Sequence, residues 1–216
     1  MPNGDAGAHS LPSRAVTNVR SYLPAPPVLL IAVLVGVGFG AGDQYLGSMT
    51  ALGSWTTTLS LLSAPWLVLP FAFGCSQLRA SRAAIAGLVA SMSALAGYFL
   101  MIMGPFEGGQ WNFTFREAHG LLLSNTLNIV GGLVTGPLYG FLGQRWRTRR
   151  AWISAALVAG ALCLEPFALA VVGRTFPGES TAVWRAEVGA GIAMAGYFVI
   201  AGLVCRRRRS ELPSHN

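Results

Sequence analysis

Glu165 sits inside the apolar run LVAGALCLEPFALAVV, in a block spanning 151–173. It lies roughly 4.5 Å past the block's centre when the run is built as a helix. An ionisable group at that depth in lipid costs about 2–3 kcal/mol even on the mildest insertion scale. It must therefore face protein, and something must answer its charge. Arg174 is nine residues further along, roughly 13 Å on the same helix, so the partner has to come from another helix. Asn125 and Asn128 are the best candidates, because a spacing of three puts them on one helical face. That face continues through Gly132, Gly136 and Tyr139. Asn128 also lies about 4.5 Å outside the centre of its own block, the depth of Glu165. Tyr98 and Asp43 extend the patch toward the same side. Carboxylates, carboxamides and a phenol so placed form a ligand-binding pocket or a proton-linked site. Their plainer use is interhelical hydrogen bonding, worth about 0.6 kcal/mol per pair.

No other residue set suggests catalysis. His9, His119 and His215 are isolated, with no HExxH pair and no Walker or Rossmann glycine pattern. Cys75, Cys163 and Cys205 lack metal or disulfide spacing and read as small apolar core residues. The sequence thus predicts no enzyme, no cofactor and no metal site.

The elements that must hold the polar patch can be read from composition. Of 216 residues, 53% are apolar and 11% charged, against roughly 25% charged in a soluble domain. The apolar residues fall into blocks at 27–46, 60–78, 82–103, 118–143, 151–173 and 184–205. Each approaches the ~20 residues that cross a bilayer core. The predicted fold is an all-α, polytopic bundle of six transmembrane helices. A polar tail (1–26) precedes the membrane domain (27–205), and a basic tail (206–216) comes after it. The second block is the least regular: 48–60 is weakly polar and reads as a loop or a shallow re-entrant turn, and Pro65 and Pro70 interrupt the block itself.

All fifteen basic residues are arginines, and the net charge is +7. Twelve (Arg14, Arg20, Arg79, Arg82, Arg145, Arg147, Arg149, Arg150 and Arg206 to Arg209) fall on one side of six crossings. Three (Arg116, Arg174 and Arg185) fall on the other, the side that also holds Asp43, Glu107, Glu117, Glu179 and Glu187. The positive-inside rule then places both termini in the cytoplasm, in a plasma-membrane protein. The arginine-rich loops would meet anionic lipid head groups, so the basic balance implies no nucleic-acid partner.

Glycine is abundant, at 27 residues, as expected where helices approach closely in lipid. Gly38 and Gly42, with Gly132 and Gly136, are the predicted packing residues, and the Gly36/Gly40 pair has the same spacing. Gly38, Gly42 and Tyr45 recur as Gly132, Gly136 and Tyr139, and Ala96–Phe99 (AGYF) recurs as Ala195–Phe198. Pro65-Trp66 matches Pro166-Phe167, in the same order. Three spans per half make this an inverted 3+3 repeat, an arrangement that recurs in transporters.

The strings APWLVLPFAFG (64–74), AGYF (96–99), GPLYGFLGQRW (136–146) and Leu164-Glu165 resemble an actinobacterial family of small six-span membrane proteins, known only as a domain of unknown function. The resemblance covers about residues 33–205 and implies a bacterial plasma-membrane protein with an acidic residue in the fifth span. It implies no activity, substrate or cofactor. Two functions are expected from the sequence: a small-solute transporter or membrane-embedded substrate-binding subunit, or an accessory protein that packs against a partner membrane protein. A carrier needs a cavity that water reaches at Glu165, whereas an accessory protein can bury that residue.

Overall fold

The computed structural model describes residues 26–104, 114–171 and 180–210. Most of the N-terminal tail lies outside these residues, as do Arg174, Glu107, Glu179 and the chain beyond 210. Every regular element among the described residues is helical. In order these are α1 (Pro26–Ser48), a 3-10 turn (Thr50–Leu52), α2 (Ser54–Ser60), α3 (Ala64–Cys75) and α4 (Ala80–Ile102). They continue as α5 (Phe115–Ser124), α6 (Thr126–Arg149), α7 (Trp152–Val171) and α8 (Ser180–Ser210). The helix of α8 runs on through Arg206–Arg209, into the segment expected to be a separate tail.

Three stretches are long and apolar enough to cross a membrane: Pro26–Ser48, Ala80–Ile102 and Thr181–Val204. Helices α5 and α6 add a fourth if the bent pair is one crossing. The blocks predicted at 60–78 and 151–173 appear as shorter apolar helices, Ala64–Cys75 and Trp152–Ala168.

Local chemistry explains both interruptions. Helices α2 and α3 break at Leu61–Ser63, and Pro65, in the first turn of α3, has no N–H to carry the ladder back to the Leu61 carbonyl. Helices α5 and α6 meet at 64°. At this joint Thr126 Oγ1 donates to the carbonyls of Leu122 and Leu123, Ser124 Oγ to Leu121, and Asn125 Nδ2 also to Leu121. Side chains that bond backward in this way compete with the helical ladder. Block four is therefore not one straight helix from 118.

Helix α4 is the spine, packed against α1, α3 and α6. Missing side chains allow the approach: a Cβ on Gly40 would overlap the Ala94 carbonyl, one on Gly97 the carbonyl of Val37, and one on Gly87 that of Gly136. Gly140 is pressed from two sides, by Ala83 and Gly87 of α4 and by Gly74 of α3. Of the expected packing glycines, Gly132 meets Met92 and Leu95, and Gly136 meets Ser91 and Gly87. The other two are corrected. A Cβ on Gly38 or Gly42 would meet nothing within 4 Å. At about 100° per residue they face roughly 160° away from Gly36 and Gly40, which carry the α1–α4 contact.

At the arginine-bearing end, Phe71, Trp146, Trp152 and Phe198 pack edge to face, with Trp146 and Phe198 ring centres 4.6 Å apart. The two halves do not repeat each other's packing. Helix α1 lies along α4, whereas their counterparts α6 and α8 touch at most glancingly. Gly97 is pinned to Val37, while its counterpart Gly196 is open.

Overpacking a close contact costs about 1–3 kcal/mol. Gly140→Val should therefore lower the thermal unfolding midpoint in detergent, followed by tryptophan fluorescence. Gly38→Ala and Gly42→Ala should stay within about 0.5 kcal/mol of the parent.

Candidate functional site

A helix leaves its first N–H groups and last carbonyls without internal partners, and α3, only 12 residues long, has both ends to settle. Its N-terminus is settled by Glu165 of α7. Oε1 accepts from the Ser63 N–H at 2.5 Å and Oε2 from the Ala64 N–H at 2.6 Å. Pro65 has no N–H to satisfy, and the Trp66 N–H reaches the Ser63 carbonyl at 3.1 Å. The Ser63 hydroxyl makes no cap of its own. The opposite end is settled by α6: Arg147 Nη1 donates to the carbonyls of Cys75 (3.0 Å) and Ser76 (2.6 Å). Just beyond, Gln144 Nε2 donates to Leu78 O at 2.9 Å. An anion thus meets the positive end of the helix dipole and a cation the negative end. Glu165 does find its partner on another segment, as its depth requires, but the partner is backbone. Asn125 and Asn128 do not bond to it.

A second carboxyl adjoins it. Glu187 of α8 is 5% exposed, and neither of its oxygens has a hydrogen-bond partner. The group it meets is the Glu165 carboxyl. Like charges so close repel, and among the described residues no donor answers the Glu187 carboxyl. By sequence alone Glu187 falls merely among the outer acidic residues. Its depth in the packed bundle depends on how α8 lies against α7 and could not be counted from a block boundary.

Around the α2–α3 break the helices leave a cavity of about 520 Å³. Asp43 of α1, Ser60 to Ser63, Trp66 and Leu67 line it, with Ser91, Leu95 and Tyr98 of α4 and Leu127, Asn128 and Thr135 of α6. Its floor is buried (Leu62, Ser91, Leu95), and Leu61, Ser63, Leu127 and Asn128 on its rim are exposed. The cavity lies on the face of α4 given by positions 91, 95 and 98, one helical stripe.

Three of the five expected ligand-binding residues, Asp43, Tyr98 and Asn128, come together here. The other two stand one bond behind the wall. Asn125 accepts from Asn128 Nδ2 through its Oδ1 (3.0 Å) while holding the α5–α6 joint, and Glu165 holds the backbone of the lining residue Ser63. Trp66 was not among the expected site residues. Its indole N–H donates to the Asp43 carboxylate, and its ring packs edge to face on Phe39 (5.4 Å) and Tyr98 (6.1 Å). The signal was the Pro65-Trp66 pair, which marks a helix start and puts an aromatic in its first turn.

Several lining hydroxyls are already spent on their own helices: Ser60 Oγ donates to Thr57 O and Thr135 Oγ1 to Gly131 O. Among the described residues that line the cavity, Asp43 carries the one formal charge and none is basic. No family model, curated protein or solved structure matches the chain, so the function has to be argued from this geometry.

Glu165→Ala orphans two N–H groups at about 1–3 kcal/mol each. Its unfolding midpoint should fall well below that of Glu165→Gln, which keeps one acceptor. Glu187→Gln removes no donor's partner and should lie near the parent. Thermal unfolding of the purified protein in detergent ranks the three.

Proposed function

We propose that this chain is a multi-pass membrane protein that binds a small solute in the cavity between α1, the α2–α3 break, α4 and α6, acting as a carrier or as the membrane-embedded binding subunit of one. The cavity is the observation that carries the reading: a half-open cleft of about 520 Å³, lined by apolar groups and a few placed polar ones, is a form small-molecule sites take. It lies beside a broken helix, where the binding sites of many transporters are found.

The distribution of side chains supports the membrane. Interior contacts are made by glycine, alanine and serine, while Leu30, Ile31, Leu34, Leu133, Val134, Ile192, Ile200 and Leu203 point outward. In this reading the chain crosses six times, through α1, the broken α2–α3 pair, α4, the bent α5–α6 pair, α7 and α8. The bonds from Gln144 and Arg147 to residues 75–78 bring the two arginine-bearing turns to one end of the bundle, which the positive-inside rule assigns to the cytoplasm. Asp43 and Tyr98 lie near the far ends of α1 and α4, so the cavity opens toward the exterior.

The accessory-protein alternative keeps two observations: the open glycine face of Gly38 and Gly42 on α1, and Glu165, which stands behind the cavity wall with both oxygens bonded to backbone and does not line the space.

Single cysteines test both access and sidedness, in a background with Cys75, Cys163 and Cys205 replaced. Ser63→Cys and Asn128→Cys should react with a membrane-impermeant maleimide applied to intact cells, and Thr148→Cys only in inverted vesicles. Rim cysteines that react in neither preparation, or in vesicles alone, would overturn the reading.

A further inference from the structure

The chemistry of the wall selects the charge of the solute. The N-terminus of a broken membrane helix is a ready anion site, and the N-terminus of α3 borders this cavity at Ser63. Both of its free N–H groups, however, are already bonded to Glu165. What is left facing the space is the Asp43 carboxylate, with no arginine or histidine among the described lining residues. The hydrogen bond from the Trp66 indole occupies one of the roughly four acceptor positions of that carboxylate. Trp66 and Tyr98 line the cavity beside it, with ring centres 6.1 Å apart, and aromatic faces attract cations. Leu61, Leu62, Leu67, Leu95 and Leu127 supply the apolar remainder of the wall. An anion placed here would meet a like charge at low dielectric, and a neutral solute would leave the carboxylate with little beyond the indole.

We infer that the cavity takes a small organic cation, an ammonium head on an apolar body, with the head between Asp43 and the Trp66–Tyr98 pair and the body against the leucines. This inference rests on the solute-site reading and narrows it to one class of ligand.

The test compares three probes of nearly equal shape by calorimetric titration of the full chain in nanodiscs, with empty nanodiscs as the blank: phenethylammonium, 2-phenylethanol and phenylacetate. Phenethylammonium should bind at least roughly tenfold more tightly than either of the others, the discrimination a charge-assisted hydrogen bond gives. Asp43→Asn should remove that preference while leaving the weak binding of the alcohol unchanged. Asn128→Ala, which keeps the carboxylate, should preserve it. Binding of phenylacetate or 2-phenylethanol equal to or tighter than that of the amine would overturn the cation assignment and leave the cavity a solute site. Absence of binding by all three would overturn both. Because the comparison between probes is made on the unsubstituted protein, it does not depend on Asp43→Asn folding.

Discussion

A helix that begins partway along a bundle presents N–H donors that its own ladder cannot satisfy, and something must accept from them. Helix α3 is such a helix, and the carboxylate of Glu165 is its answer. Much of the remaining architecture depends on that contact. Proline immediately after the first residue reduces the donors to be satisfied. An acidic side chain becomes tolerable in the middle of α7 because it is spent on two backbone groups. Beginning α3 at this depth also leaves room beside it that a continuous helix would have filled, and the cavity occupies that room. Arg147 closes the other end, so one short helix is held by opposite charges on two different neighbours.

Residue size then decides where the bundle is solid and where it is hollow. Along much of α4 the positions facing α1 and α6 are glycine, alanine and serine, and there the backbones come into direct contact, with Met92 and Leu95 taking over opposite Gly132. Toward the arginine-bearing end, Phe71, Trp146, Trp152 and Phe198 fill the wider gap between α3, α6, α7 and α8. At the opposite end Trp66 and Tyr98, with Phe39 packed behind Trp66, and the leucines around them line a space without filling it. Asp43 is held there by an indole that is itself fixed by its aromatic neighbours.

The helical class, the apolar blocks and three of the cavity residues were legible in the sequence, because depth along a helix can be counted from block boundaries. That count puts Asn128 at the depth of Glu165 and Asp43 and Tyr98 further out on the same side, and all three line one cavity. Glu165 was legible as a group needing a partner, but counting sees only side chains, and its partners are backbone N–H groups exposed by a break. Gly38 and Gly42 failed for a related reason. Spacing of four identifies a stripe but not which of two stripes on α1 turns inward, and the Gly36–Gly40 stripe does so. The bend at Asn125 lay hidden in a block whose average composition is apolar. Only the consecutive Ser124-Asn125-Thr126 triplet, each side chain reaching back to a carbonyl, reveals it.

The capping of α3 from a distance also restricts how this sequence can vary in length. Trp152 anchors the start of α7 against Trp146, and Glu165 must arrive thirteen residues later pointing at Ser63 and Ala64. Inserting or deleting one residue between them would swing the carboxylate by about 100° around the helix. The carboxylate would then turn away from Ser63 and Ala64, and two amides would be left without an acceptor. Homologues that keep this architecture should therefore hold that interval constant while the connections outside it drift, which makes a fixed gap a better mark of kinship here than residue identity.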